Sequence, residues 1–124
     1  MAHELILIVE DNPKNLKLVR DTLQVKGYQT VEAETGEEGV ALARERQPAL
    51  VLMDIQLPGM SGIEALRELR ADPVTRAIPV IAVTASVMAQ ERQKVMAARF
   101  DGFQGKPISV RELLATVRGL PEKP

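Results

Sequence analysis

Three short runs of β-branched and leucine side chains constrain the fold more than any other feature of the sequence. They cover residues 5–9, 50–53 and 80–83, and none of them alternates between apolar and polar positions. Such runs are typical of strands covered on both faces, as in parallel sheets. Two weaker strands are expected over residues 28–31 and 102–104, the second mainly from its place in the pattern.

Helix-like segments separate these strands, and their ends carry capping residues. Asn12 precedes a proline at the first helical position, and Thr35 and Ser109 each stand three residues before a glutamate. The predicted helices cover residues 13–26, 36–46, 61–70, 87–98 and 110–118. Alternating strands and helices with short connections predict an α/β fold, a doubly wound sheet of five parallel strands with five helices on its two faces.

The composition excludes several classes of protein. Sixteen Lys and Arg against 17 Asp and Glu give a formal charge of -1, too little positive charge for sequence-independent nucleic-acid binding. The chain has no cysteine and one histidine, His3, which excludes disulfides, thiolate metal sites and histidine-based triads. Its longest purely apolar run, residues 5–9, is too short to span a membrane. We therefore expect one cytoplasmic domain over residues 1–124, with a short C-terminal tail at 119–124.

Charged and hydroxyl side chains follow four of the five predicted strands. Glu10 and Asp11 follow the first strand, Asp54 the third and Thr84 the fourth, and Lys106 comes just after the fifth. In a doubly wound sheet, ligands bind outside the carboxyl ends of the strands, where the strand order reverses. We therefore expect these side chains to gather at one edge of the sheet.

Three carboxylates in one pocket need positive charge beside them. If the first and third strands are neighbours at the switch point, Glu10, Asp11 and Asp54 form one acidic pocket, which is costly unless a cation is present. Mg²⁺ prefers oxygen ligands and leaves room for phosphate oxygens, and together with Lys106 it would balance the three negative charges. Such a pocket suits a transferring phosphoryl group, which an aspartate carboxylate can accept covalently.

Four segments carry a resemblance to a known family. They are residues 8–12 (IVEDN), 52–62 (LMDIQLPGMSG), 83–85 (VTA) and 105–107 (GKP). Together, and in this order, they resemble the receiver domain of two-component response regulators over essentially the whole chain. The resemblance implies the strand order 2-1-3-4-5, a Mg²⁺ cofactor and a phosphoacceptor aspartate, Asp54.

The resemblance also implies a role for each residue around Asp54. Asp11 would bind Mg²⁺ directly together with Asp54, Glu10 would bind it through water, and Gln56 would bind it through its backbone carbonyl. The Thr84 hydroxyl and the Lys106 ammonium would bind oxygens of the phosphoryl group.

Further roles follow from the same resemblance. The peptide bond between Lys106 and Pro107 would be cis, and Phe103 would change rotamer on activation together with Thr84. The family often has tyrosine at the position of Phe103 and aspartate at that of Glu10. Because Phe103 has no hydroxyl, its movement would be driven by packing alone.

The expected function is a stand-alone phosphoacceptor switch rather than an enzyme with rapid turnover. The phosphoryl group would come from a phosphohistidine on a sensor histidine kinase or a histidine phosphotransfer protein, and the output would be contact with a downstream protein partner. Leu16, on the first helix, is predicted to help dock the donor. A monomer or weak dimer is expected, with no nucleic-acid or membrane partner.

Three alternative functions also fit part of the sequence. A haloacid-dehalogenase-like phosphatase also uses an aspartate nucleophile at a strand end, but it needs a second acid two residues later, where this chain has Gln56. A flavodoxin-like cofactor binder needs a glycine-rich phosphate loop after the first strand, where this chain has Glu10 and Asp11. A degenerate receiver that only binds proteins would lack some of the expected site residues, and none is missing.

Overall fold

The computed structural model describes residues 4–84, 93, 97–98, 100–106 and 108–118. Within these ranges, strands and helices alternate from Leu5 to Thr84, and a helix follows the fifth strand. The elements are β1 (Leu5–Val9), α1 (Pro13–Val25), β2 (Gln29–Ala33), α2 (Gly36–Arg46), β3 (Leu50–Asp54), α3 (Gly62–Ala71), β4 (Val80–Thr84), β5 (Gly102–Gly105) and α4 (Val110–Arg118).

The five strands form one parallel sheet in the order β2-β1-β3-β4-β5, as predicted. The order reverses between β1 and β3, which are neighbours in the sheet although β2 lies between them in the sequence. Val9 at the end of β1 pairs with Met53 of β3, and Asp54 pairs with Val83 of β4. The residues that follow these pairs therefore leave the same edge of the sheet.

The predicted element bounds hold to within a residue or two. Asp54 and Thr84 are the last residues of their strands rather than the first residues after them, since each still pairs with the neighbouring strand. β2 extends to Ala33, two residues beyond the prediction, because its pairing with β1 continues to the end of that strand. The helix predicted over residues 87–98 lies almost wholly outside the described residues, which contain four helices.

Apolar side chains cover both faces of the sheet, because successive strand residues point to opposite sides. On one face, Leu7 and Val9 pack with residues of α2 and α3, among them Leu66. On the other face, Ile6 and Ile8 pack with residues of α1 and α4. The sheet is thus a rigid central layer on which the chain segments at its carboxyl edge are held.

The helix ends are capped much as the sequence predicts. The Asn12 side chain accepts hydrogen bonds from the backbone N–H groups of Lys14 and Asn15. Thr35 caps α2 and Ser61 caps α3 in the same way. No helix in the described ranges is long and apolar enough to cross a membrane.

Asp101, just before β5, connects three elements. Its Oδ2 atom accepts a hydrogen bond of 2.7 Å from the backbone N–H of Val80 and another of 2.7 Å from Nη2 of Arg70 on α3. Arg70 also donates hydrogen bonds to the backbone carbonyls of Arg76 and Ile78, in the loop between α3 and β4. These bonds fix where β4 begins and where β5 joins it.

Asp101→Ala is expected to lower the free energy of unfolding by about 1–2 kcal/mol, because it leaves the Val80 N–H and the Arg70 guanidinium without their shared acceptor. Asp21→Ala is the matched control, since Asp21 only forms exposed ion pairs with its helix neighbours Lys17 and Arg20. Urea denaturation of both variants checks the comparison. Equal losses would show that Asp101 contributes no more than a surface charge.

Candidate functional site

Three carboxylates meet at the carboxyl edge of the sheet. Glu10 and Asp11 follow β1, and Asp54 ends the neighbouring strand β3. One oxygen of each carboxylate lies within 4.8 Å of the others. Glu10 and Asp54 are each only 3% exposed, whereas Asp11 is open to solvent. The structure therefore brings the three predicted acidic residues together, with two of them nearly removed from water.

Lys106 supplies the positive charge between the two buried acids. Its Nζ atom lies 2.9 Å from Oε1 of Glu10 and 3.0 Å from Oδ2 of Asp54. Lys106 follows β5, so its side chain reaches past β4 to contact residues at the ends of β1 and β3. Its backbone N–H donates a 2.9 Å hydrogen bond to the carbonyl of Thr84. This bond fixes the backbone position from which the Lys106 side chain extends.

Backbone N–H groups hold the remaining oxygens of the two buried carboxylates. The N–H of Gln56 donates to Oδ1 of Asp54 over 3.0 Å, and the N–H of Asn12 donates to Oε2 of Glu10 over 3.2 Å. In the described part of the chain, no buried side-chain nitrogen or oxygen lacks a hydrogen-bond partner. The orientation of both carboxylates is therefore set before any ligand arrives.

The pKa of Glu10 is raised to about 7. Burial is the largest cause, and the neighbouring Asp54 carboxyl adds to it, while Lys106 and the Asn12 N–H oppose it. The pKa of Lys106 is also raised: burial acts to lower it, but the hydrogen bonds and charges of Glu10 and Asp54 outweigh burial. The lysine therefore stays charged, whereas Glu10 holds a proton over part of the neutral range.

The donor set fits a hard divalent cation. All three groups of the acidic cluster offer carboxylate oxygens, the ligand type that Mg²⁺ takes in proteins. Three carboxylates face one ammonium, so the cluster keeps excess negative charge when all are ionised. A cation at the exposed Asp11 side of the cluster would relieve the repulsion between acids that raises the pKa of Glu10.

Three other predicted site residues lie on β4, β5 and α1. Thr84 is buried at the end of β4, where it pairs with Gly105, and Phe103 is half-buried on β5 opposite Ala82. Leu16 is only 9% exposed and packs in the core beneath α1. Its docking role stays a prediction.

Two predictions about backbone groups also stay open. Pro107 lies outside the described residues, so the predicted cis bond after Lys106 does too. Gln56 contacts the site through its N–H, which donates to Asp54, while its carbonyl as a metal ligand remains a prediction.

No role was predicted for the residues that hold the loop after β3, although Gly62 ends the segment 52–62 that carries the family resemblance. Gly62 lies against the backbone of Asp54, and Glu37 accepts a hydrogen bond from the N–H of Met60. A glycine at the start of a helix, where no turn requires one, was the available signal for Gly62. Glu37 gave none, because an acidic residue in the first turn of a helix is common.

Fold and site together define a class of protein: a doubly wound α/β domain with a buried aspartate, two further acids and a lysine at its switch point. The chain belongs to the response regulator receiver domain family, whose model matches residues 6–118. The domain is thus a receiver of two-component signalling, and the family predicted from sequence is confirmed.

Curated relatives agree with this assignment. The polar-differentiation response regulators DivK of Brucella ovis and of Brucella melitensis are each 43% identical to this chain over 113 residues, covering 91% of it and 92% of the relative. The match spans nearly the full length of both proteins.

Solved structures share the fold. The receiver domain of a sensor histidine kinase from Pseudomonas aeruginosa PAO1 is 32% identical with a TM-score of 0.88, covering 94% of this chain and 96% of that one. That structure has a magnesium ion coordinated in its active site cleft. The chemotaxis protein CheY4 of Vibrio cholerae is 26% identical with a TM-score of 0.87, covering 94% of this chain and 98% of that one.

The raised pKa of Glu10 predicts how stability changes with pH in the absence of metal. Between its ordinary pKa of 4.5 and its folded value of about 7, the folded state binds more protons at Glu10 than the unfolded state does. This residue's contribution to stability is therefore lost as the pH rises through that window. Glu10→Gln removes the titration, so the variant should gain stability relative to wild type from pH 4.5 to 7.

Urea denaturation in the presence of a chelator, at a series of pH values, measures this difference. Glu64→Gln, at an exposed position on α3, serves as the control for replacing a glutamate by a glutamine. A constant difference between Glu10→Gln and wild type over the window would contradict the prediction.

Proposed function

We propose that this receiver domain accepts a phosphoryl group on Asp54 from a phosphohistidine of a sensor histidine kinase or a histidine phosphotransfer protein. The observation that carries the proposal is the placement of Asp54. Its carboxylate lies at the switch point of the sheet, held by the Gln56 N–H and by Lys106, within an acidic cluster that fits a divalent cation. Family membership and the magnesium ion in the Pseudomonas receiver domain support the same chemistry.

Mg²⁺ is the proposed cofactor. Glu10, Asp11, Asp54 and the backbone carbonyl of Gln56 would hold it, with Glu10 acting through water. When bound, the ion would neutralise carboxylate charge and align phosphoryl oxygens. Asp11, the exposed member of the cluster, is the side chain best placed to meet a cation arriving from solvent.

The chain's own residues would then carry the transfer. A carboxylate oxygen of Asp54 attacks the phosphorus atom, and the bond between phosphorus and the donor histidine nitrogen breaks, with its electron pair remaining on the imidazole. Lys106 already touches the Asp54 carboxylate and would move its ammonium to an oxygen of the incoming group, offsetting the added negative charge. The Thr84 hydroxyl would bind another oxygen.

The phosphatase alternative has less support. In that chemistry a second acid protonates the leaving group, yet the residue two positions after Asp54 is Gln56, whose side chain is exposed. We infer that the aspartyl phosphate is lost slowly to water and that the domain works as a switch rather than a turnover enzyme. The degenerate-receiver alternative is disfavoured because Glu10, Asp54 and Lys106 are in direct contact.

The partners and location follow as proposals from the family. Its output would be contact with a downstream protein, in the cytoplasm, as a monomer or weak dimer. The DivK relatives, named for polar differentiation, are response regulators of similar length. The five-helix fold expected from the sequence, with a helix over residues 87–98, would complete the face next to β5.

Asp54→Asn should abolish Mg²⁺-dependent labelling by acetyl phosphate, because an amide is not a competent phosphoryl acceptor. Asp21→Asn is the control, since Asp21 is an exposed residue of α1 outside the acidic cluster and should label like wild type. Mass spectrometry of the intact protein measures the added phosphoryl group. Wild-type labelling of Asp54→Asn would overturn the assignment of this residue.

We further propose that Thr84 and Phe103 convert phosphorylation into a change of surface. Thr84 ends β4, and its carbonyl accepts the N–H of Lys106, so movement at either residue reaches the other. Binding of the phosphoryl group by the Thr84 hydroxyl would draw this strand end inward. Phe103, on the adjoining strand β5, would rotate toward Thr84, and the surface of β5 and α4 would change shape together with the helix predicted over residues 87–98.

Thr84→Ala should accept the phosphoryl group but respond weakly at the surface, whereas Thr84→Ser keeps the hydroxyl and should respond like wild type. Amide NMR shifts of residues 102–105 and 110–118, measured before and after phosphorylation, report the response. If Thr84→Ala shows the same shift changes as wild type, the hydroxyl does not couple the site to this surface.

A further inference from the structure

Gly62 occupies a position where any side chain would collide with the backbone of the phosphoacceptor. A Cβ atom placed there would meet the carbonyl oxygen of Asp54 and would lie 2.8 Å from the Cα of Ile55. Among the described glycines, only Gly27 and Gly59 have positive φ angles, so the backbone conformation of Gly62 does not itself require glycine. The requirement is steric, and the atoms that impose it belong to the backbone and cannot rotate away.

The close approach closes the loop that follows β3. The N–H of Gly62 donates a 3.0 Å hydrogen bond to the carbonyl of Ile55, joining the two ends of residues 55–62. This closed loop contains Gln56, whose N–H holds Oδ1 of Asp54. The start of α3 thus bears directly on the peptide units that orient the Asp54 carboxylate.

The far side of the same loop is held from α2. Oε1 of Glu37 accepts a 3.1 Å hydrogen bond from the N–H of Met60. Gly36 also lies close, since a Cβ atom there would be 3.0 Å from the carbonyl oxygen of Met60. Two points therefore fix the loop: a backbone contact at Gly62 and a side-chain hydrogen bond from Glu37.

We propose that Gly62 is a positioning residue for the acidic site and that Glu37 assists it by holding the opposite side of the loop. Neither residue touches the reacting atoms. They act through the backbone of Asp54, Ile55 and Gln56, which sets the direction of the Asp54 carboxylate toward Glu10 and Lys106. The inference rests on the proposed function in one respect: the positioned group is the one that binds Mg²⁺ and the phosphoryl group.

Gly62→Ala tests the backbone contact, and Gly39→Ala is its matched control. Gly39 is also a buried helix glycine, and a Cβ atom there would lie 2.7 Å from Cγ2 and 3.1 Å from Cγ1 of Val9, so the strain falls on core side chains and not on the backbone around Asp54. We expect Gly62→Ala to weaken Mg²⁺ binding by about tenfold, as the loss of an outer-shell contact does, whereas Gly39→Ala keeps an affinity close to that of wild type. Calorimetric titration of the full chain with MgCl₂ measures both.

A second readout needs no metal. Hydrogen exchange of the Gln56 amide, measured in the presence of a chelator, should be faster in Gly62→Ala than in wild type and unchanged in Gly39→Ala. Unfolding in urea gives the stability of each variant. A purely structural role would lower stability in both variants and leave Mg²⁺ affinity and Gln56 exchange alike in both, which would overturn the proposal.

Glu37→Ala keeps the proposal testable if Gly62→Ala does not fold. Its control is Glu38→Ala, which removes the same charge from the same helix turn and breaks a hydrogen bond to the N–H of Glu34 instead. We expect a weaker Mg²⁺ affinity and faster exchange of the Met60 amide only in Glu37→Ala. Identical behaviour of the two variants would overturn the role of the loop.

Failure of the proposed function gives a different result. Wild-type protein would then bind no Mg²⁺ and take no phosphoryl group from acetyl phosphate, while the metal-free exchange rates at Gln56 would still distinguish Gly62→Ala from Gly39→Ala. Normal Mg²⁺ binding by wild type together with unchanged behaviour of Gly62→Ala would reject the positioning role alone.

Discussion

The contact of one ammonium with two buried carboxylates is the interaction on which the rest of the structure depends. Glu10 and Asp54 lie side by side at 3% exposure, an arrangement that would repel strongly without Lys106 between them. The three residues come from the ends of β1, β3 and β5, so the contact requires those strands to end at one edge of the sheet. Parallel pairing in the order β2-β1-β3-β4-β5 meets that requirement.

The residues that stabilise the fold are different from the residues that form the acidic site. Apolar packing on both faces of the sheet holds the strands, and it involves residues such as Leu7 and Ile8 that precede the site by only a few positions. The strand ends can therefore carry a costly group of like charges without opening the core. Loops that follow the strands supply backbone N–H groups, which orient the two buried carboxylates. The third carboxylate, that of Asp11, stays exposed to solvent.

Sequence patterns predicted best the strands that are buried on both faces. They predicted less well the strands that are partly exposed. β1, β3 and β4 follow from uninterrupted apolar runs, whereas β2 includes Gln29, Thr30 and Glu32 on the outer edge of the sheet, and its end was placed too early. The placement of Glu10, Asp11, Asp54 and Lys106 at one edge followed from the strand ends, whereas the strand order that makes β1 and β3 neighbours followed from the family resemblance. The contacts of Gly62 and Glu37 followed from neither, since they depend on how closely α2 and α3 approach a loop, a distance that local composition does not record.

β5, like β2, is an edge strand of the sheet, and long polar contacts attach it to a helix. It has β4 as its single neighbour, and its buried Gln104 reaches α4 through long hydrogen bonds of 3.3 Å to Glu112 and 3.5 Å to Thr116, beside the apolar contacts of Leu113 and Val117. Long hydrogen bonds at the edge of a sheet can be replaced by hydrogen bonds to water at little cost in free energy. Separating closely packed core side chains costs more. Lys106 joins this adjustable edge to the two buried carboxylates, so a displacement of its ammonium at the charged centre is carried into β5.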